Sequence, residues 1–381
     1  MPHIRSGRAG EAARRRPRAR ARGGRPCVRH RTRAGAQFTE NDIGQARPGP
    51  RQVHVRIRRN SAAGCGCTGA MTVVAVTGAT GFIGTHLVRL LVEQGYNVRA
   101  LARRPPQGRE ESLQLSWVIG SLENTQALEK LVAGADVVVH LAGAIKAFSR
   151  DAFLEANAIG TRRLAEAAAA VATSPRLIYV SSLAARQPSL SSYAASKRAG
   201  EQVVRSFAKL RPVILRPPAV YGPGDMETLR IFQMASRGFV LAPGGATNRT
   251  SLVHVEDVAR AVVAAVKLDE PPSVPVEFDD GRARGYDWRE ILAAAGEALQ
   301  ITPRLIRVPA PLMYLVGLAG SLHGRLTGKP NVLSWDKIPE LLHPDWVAAP
   351  MALAGYQPRW TLEKGLKDAV NWYASRGLLT K

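Results

Sequence analysis

Tyr193 and Lys197 stand four residues apart in "YAASK" (193–197), a spacing that puts both side chains on one face of a helix. A free phenol titrates near about 10 and is a poor acid–base catalyst at neutral pH. An ammonium group beside it favours the phenolate and lowers that value. Upstream, Ser182 closes the run "RLIYVSS" (176–182), where its hydroxyl can donate to a substrate oxygen and fix it beside the Tyr193 hydroxyl. Serine, tyrosine and lysine in this order point to proton transfer at a carbonyl or a secondary alcohol. A Tyr–Lys pair at this spacing is common by chance. The strand ending in Ser-Ser ahead of it, and a glycine motif further upstream, make it specific.

That glycine motif is "VVAVTGATGFIGTHLV" (73–88), where three glycines at a spacing of three follow a valine run. Gly78 lets the chain turn sharply off a strand, Gly81 lets backbone approach a pyrophosphate, and Gly84 permits close packing of helix on sheet. Phosphates would then meet free N–H groups at the positive end of the helix dipole. The spacing is G-x-x-G-x-x-G and no Lys-Ser/Thr follows, so a nucleotide-hydrolysing P-loop is excluded. An NAD site places an acid about 20 residues on, at the end of the second strand. Here "VRALARRPP" carries Arg103 and Arg104 and no acid. A guanidinium can pair bidentately with a 2′-phosphate, so NADP(H) is the expected cofactor, with NAD(H) as runner-up.

These residues need a scaffold, and the hydrophobic pattern supplies one. Strands are predicted at 73–78, 97–103, 136–143 and 176–182, and helices at 84–95, 124–134, 153–172 and 253–266. Regular alternation predicts an α/β fold, a Rossmann-type doubly wound parallel sheet. Residues 71–225 are read as the dinucleotide-binding domain. Residues 226–381 are read as a smaller, largely helical substrate region, with elements near 251–280 returning to the core. The stretch 308–326 is apolar but interrupted by Gly and Pro, too short to span a bilayer. It is read as a helix over the substrate cleft, with interfacial association as the lesser reading.

The net charge of +23 is unevenly placed, because residues 1–70 hold seventeen Arg against three acids. That segment lacks apolar periodicity and reads as disordered. Nucleic-acid binding would call for interleaved aromatic residues, a presequence for an amphipathic helix, and a zinc site for more ligands than the "CGC" of 65–67. The expectation is that the fold starts at Met71, with the upstream part an over-extended reading frame and no nucleic-acid partner. No cysteine occurs after Cys67, so a disulfide framework is excluded there. His140 and His254 have no ligand partners at useful spacing, and no metal is expected. With no signal peptide or apolar run of about 20 residues, a cytoplasmic location is expected.

Residues 71–381 resemble an extended short-chain dehydrogenase/reductase of the NAD-dependent epimerase/dehydratase and 3β-hydroxysteroid dehydrogenase group. The motifs "TGATGFIG" (77–84), "HLAG" (140–143), "NAIGT" (157–161), "VSS", "YAASK" and "LRPPAVYGPGD" (215–225) match in order. The resemblance implies that Tyr193 is the catalytic acid/base, that Lys197 lowers its pKa and holds the nicotinamide ribose, and that Ser182 polarises the substrate oxygen. Asn157 would support Lys197 through a water. The cofactor would be lined by Gly78, Thr80, Gly81, Phe82, Ile83 and Gly84, then by Leu141, Ala142, Gly143, Pro217 and Val220. Ser121-Leu122 stands where Asp-Leu often lies beside the adenine, a departure that leaves the amino-group contact open. Some members pair as homodimers through two helices, one bearing the tyrosine, and others are monomers.

Three functions fit: an NADP(H)-dependent reductase or dehydrogenase of a fairly apolar small molecule, a nucleotide-sugar epimerase or dehydratase holding NAD, and a non-catalytic scaffold. The arginine pair favours the first. So does Thr250, where sugar-nucleotide enzymes tend to carry Arg, although Arg249 is one step away. The intact Ser-Tyr-Lys set counts against the scaffold.

Overall fold

The computed structural model describes residues 71–108, 111–245 and 248–379. The readings of residues 1–70, including the cysteines, lie outside these described residues.

Seven strands form one parallel sheet. Six are β1 (Val73–Thr77), β2 (Asn97–Ala102), β3 (Leu115–Ile119), β4 (Val137–His140), β5 (Arg176–Val180) and β6 (Val213–Arg216). Their order across the sheet is β3-β2-β1-β4-β5-β6, and the short strand Val276–Glu277 closes the far edge beside β6. Strands β4, β5 and β6 are buried along their whole length, which is why they read as continuous apolar runs. Helices α1 (Phe82–Glu93), α2 (Thr125–Val132), α4 (Gly160–Ala170) and α5 (Ser192–Ser206) make the crossovers. One face of the sheet packs on α1 and the helix Val255–Val266 through Leu87, Leu91, Val258 and Val262. The other packs on α2 and α4 through Leu128, Leu131, Leu164 and Ala168.

The chain leaves β1 towards β2 on one side, while β4 lies on the other. This reversal opens a crevice at the carboxyl ends of β1 and β4, where an open α/β sheet takes its ligand. The sequence expectation holds for this doubly wound sheet. It did not include the buried β6 or the edge strand Val276–Glu277, nor β3, a strand with two exposed and three half-buried residues that lacks the valine-rich signature of its neighbours. The helix expected over 153–172 is also interrupted: α3 (Arg150–Leu154) passes into a π-helical turn, Glu155–Ile159, before α4. Such turns cluster at functional sites, and this one carries Asn157.

Beyond residue 226 the chain is largely helical. Helices Thr228–Ser236, Trp288–Leu299 and Leu362–Ser375 share a core around Phe232, Leu366 and Tyr373. The strand Arg304–Val308 pairs with Phe239–Pro243 and leads into the helix Ala310–Thr327. A buried ionic cluster ties α5 to the sheet. Arg216 donates from Nε and Nη2 to the two carboxylate oxygens of Glu201, both at 2.7 Å. Its third nitrogen donates to Glu277 at 3.3 Å, and Ser181 Oγ donates to Glu201 at 2.7 Å.

Candidate active site

The crevice begins with the glycine turn. Gly78 has φ +72°, and a methyl group there would lie 2.7 Å from the Ala142 amide nitrogen, so only glycine lets the β1 turn rest against the loop after β4. A methyl group on Gly84 would collide with the Gly78 carbonyl. The third glycine therefore lets α1 close onto the first turn itself. Gly81 is the extended N-cap of α1, which has no side-chain cap and no acid in its first turn. An uncapped helix start against an exposed Thr80-Gly81 turn suits an anionic pyrophosphate. Leu141, Ala142 and Gly143 run along the opposite wall, and Phe82 and Ile83 form the first helical turn, half-buried. These residues fit a dinucleotide.

Arg103 and Arg104 follow β2 directly and are exposed. Ser121 accepts from the Glu123 amide, and the half-buried Leu122 packs where a side chain on Gly160 would stand. Pro217 is buried at the end of β6, and its carbonyl accepts from the Leu183 amide; Val220 is half-buried two residues past Pro218.

Ser182 caps a short 3-10 turn, Leu183–Arg186, after β5, while Tyr193 and Lys197 lie in the first turns of α5. The three converge with Asn157 and Gly143. The Ser182 hydroxyl neighbours the Tyr193 phenol and favours its ionised form, and the Tyr193 ring meets Phe153 edge-on at 6.0 Å. Asn157 is buried and clamps the loop after β4, accepting from the Ala144 amide (2.8 Å) and donating to the Ala144 carbonyl (3.0 Å) and Ser196 Oγ (2.8 Å). Its amide thus acts directly on this loop. A methyl group on Gly143 would stand 2.6 Å from Asn157 Oδ1 and 3.9 Å from Lys197 Nζ.

The Lys197 ammonium donates to the Val180 carbonyl at 2.9 Å and lies 4.6 Å from the Tyr179 ring centre. Burial pushes the Tyr193 phenol up to about 12; the Ser182 hydroxyl acts the other way and the Glu340 carboxylate adds to the rise. Burial brings Lys197 down to about 8, partly offset by Glu201. His140 is buried between Thr77 Oγ1 (2.6 Å) and Thr161 Oγ1 (2.9 Å), and burial pushes it down to about 3. It is a neutral structural group.

Sequence reasoning missed three residues. Lys337 Nζ sits 3.9 Å from the Tyr193 ring centre and pairs with Glu340 at 2.6 Å. Asp336 accepts from the Ser192 amide and hydroxyl at 2.9 Å each, and Glu340 accepts from Ser191 Oγ at 2.5 Å. The segment 336–340 thus clamps the start of α5 from far along the chain. Its only sequence signal is the charged "DK" after Trp335 in an otherwise apolar stretch. His343 and Trp346 pack at a tilt with ring centres 4.8 Å apart, and Trp346 Nε1 donates to the Glu340 carbonyl, a structural role.

A Rossmann-type sheet with a glycine turn at its switch point defines a dinucleotide-binding protein. The model of the NAD dependent epimerase/dehydratase family matches residues 74–275, and the chain belongs to this family, as an oxidoreductase of the extended short-chain dehydrogenase/reductase type. It is 45% identical over 317 residues to a ceramide reductase of Caulobacter vibrioides, covering 82% of this chain and 98% of that one. It is 27% identical to a 2-alkyl-3-oxoalkanoate reductase of Stenotrophomonas maltophilia, covering 77% of this chain and 97% of that one. Among solved structures, UDP-glucuronic acid 4-epimerase from Bacillus cereus in complex with NAD superposes with TM-score 0.61 at 20% identity, over 81% of this chain and all of that one. That likeness is one of fold.

Proposed function

We propose that the chain is an NADPH-preferring reductase of a carbonyl group on a long-chain, apolar substrate, with Ser182, Tyr193 and Lys197 as its catalytic residues. The observation that carries this reading is geometric: Ser182 after β5 and Tyr193 on α5 come together beside the glycine-turn crevice. A phenol that stays protonated at neutral pH is a proton donor, and reduction of a carbonyl needs one. A nicotinamide cofactor held in this crevice supplies the hydride. Ser182 Oγ–H donates to the carbonyl oxygen and orients it. As negative charge develops on that oxygen, Tyr193 gives up its hydroxyl proton to it, leaving an alcohol and a phenolate. The Lys197 ammonium, drawn from the Val180 carbonyl, would stabilise the phenolate until it is reprotonated from solvent. Asn157 holds the Leu141–Ala144 wall in place.

The ceramide reductase likeness supports a lipid-like substrate. Arg249 supports reductase over sugar-nucleotide chemistry, because its guanidinium is taken by Glu290 (2.9 Å), Asp287 (3.7 Å) and the carbonyls of Arg284 and Gly285. NADPH preference is supported by two exposed arginines and no acid after β2.

The test is an equilibrium titration with NADPH and NADH, after checking for dinucleotide carried through purification. NADPH is expected to bind more tightly. Arg103→Ala combined with Arg104→Ala should narrow the gap by about tenfold to a hundredfold, the worth of one or two charge-assisted hydrogen bonds. An unchanged ratio would move the 2′-phosphate site elsewhere, and tightly held NAD would favour the epimerase reading.

A further inference from the structure

The helix Ala310–Thr327 carries its bulk on the solvent side. Its inward face is Met313, Gly317 and Gly324, all buried. A methyl group on Gly317 would lie 2.6 Å from Ile338, and one on Gly320 would collide with the Leu333 carbonyl, so the inner face is small because backbone presses against it. The outer face carries Leu312, Leu315, Leu318, Leu322 and Leu326, all exposed, Leu326 at 79%. At about 100° per residue these leucines fill an arc of roughly 120°. Single exposed leucines are ordinary, but a contiguous stripe marks an interaction surface. Ile306 and Leu241, paired across the adjoining two-stranded sheet, are exposed as well. Trp335, 52% exposed, packs at 4.9 Å from Tyr314 on the same helix.

Between Glu297 and Asp336 the charge has one sign. Residues 298–335 include Arg304, Arg307, Arg325 and Lys329 and no Asp or Glu. All four cations are exposed. A second copy seated on this face by a two-fold axis would set these cations against their own equivalents. An anionic bilayer would neutralise them and take up the leucines. Among the described residues no helix is long and apolar enough to cross a membrane. An apolar stripe bordered by cations suits a helix lying in the headgroup plane.

We propose that the helix Ala310–Thr327, with the strand Arg304–Val308, docks on an anionic lipid surface. Trp335 is followed directly by Asp336 and Lys337, which hold Ser192 and cover the Tyr193 ring. The docking face therefore adjoins the Ser-Tyr-Lys site, and a membrane-borne substrate would reach Tyr193 without crossing water. That consequence for turnover rests on the reductase reading; the docking does not.

The test is co-sedimentation of the full chain with vesicles of equal parts phosphatidylglycerol and phosphatidylcholine, and with vesicles of phosphatidylcholine alone. Binding to the first, weakened by salt and much weaker on the second, is expected. Leu315→Glu with Leu322→Glu should reduce it about tenfold or more. Arg304→Ala with Arg307→Ala should reduce it roughly fivefold per cation removed. Unchanged melting temperature and NADPH affinity would show that the leucine variant is folded. The proposal is overturned by a wild-type chain that ignores anionic vesicles or by a leucine variant that binds like wild type. It is also overturned by a wild-type dimer that the leucine change makes monomeric without any vesicle binding. Vesicle binding needs no catalysis, so loss of the Ser-Tyr-Lys reading would leave it standing. Failed docking beside an inactive Tyr193→Phe variant would sink the docking alone.

Discussion

Tyr193→Phe is expected to lower kcat for carbonyl reduction by about a hundredfold to ten-thousandfold, the range for loss of a positioned general acid. Cofactor affinity should stay nearly unchanged. Phenylalanine keeps the edge contact with Phe153 and the ring beneath the Lys337 ammonium, and it loses only the hydroxyl beside Ser182. Direct titration with NADPH and steady-state kinetics on a ketone panel would separate the two effects. The raised phenol also fixes the sign of the pH dependence. Reduction needs the protonated phenol, which persists across the neutral range when the group titrates near about 12, so its rate should be flat there. Oxidation of the alcohol needs the phenolate and should rise with pH. A Phe variant with wild-type turnover would remove Tyr193 from the mechanism.

The parts legible in the sequence are those set by local geometry. Three glycines at fixed spacing after a valine run have few uses, and the structure puts Gly78 and Gly84 where a methyl group would collide with backbone. Alternating strand and helix patterns likewise marked four of the seven strands, because buried parallel strands read as apolar runs, although the short, buried β6 was missed. What the pattern hid was set by distant partners. The Tyr193–Lys197 spacing placed both on one helix face, but that the Lys197 ammonium donates to the carbonyl at the end of β5, Val180, is shown only by the tertiary structure. Asp336, Lys337 and Glu340 reach Ser191, Ser192 and Tyr193 from more than a hundred residues away, from a segment without helical or strand periodicity. The π-helical turn at Asn157 has no residue signature, since the apolar spacing merely slips by one position. Edge strand β3 was lost because one open side removes the continuous apolar run.

Arg216→Met is expected to destabilise the chain by about 3–5 kcal/mol, the cost of removing one partner from a buried ion pair. Methionine fills much of the space of the arginine stem but leaves Glu201, 1% exposed, and Glu277, 7% exposed, without their shared cation. A single exposed pair would contribute only about 0–1 kcal/mol, so the measured size of the loss distinguishes a buried network from a surface contact. Thermal and denaturant unfolding would read it, and a loss below about 1 kcal/mol would show that the network does not hold the fold. Arg216→Met combined with Glu201→Gln should recover part of the loss, because one of the two buried carboxylates, whose remaining ion pairs are the longer ones of Glu201 to Arg198 (3.4 Å) and Glu277 to Arg186 (3.5 Å), is then neutral. The same experiment bears on the site. Glu201 lies one helical turn beyond Lys197 on α5, and Ser181, which donates to it, precedes Ser182. The arginine therefore fixes the helix that carries Tyr193 and Lys197 against the strand end that carries Ser182. At a temperature where the variant stays folded, the loosened register should appear as a lower kcat with NADPH affinity retained, since the glycine turn lies on β1 and α1, outside this network.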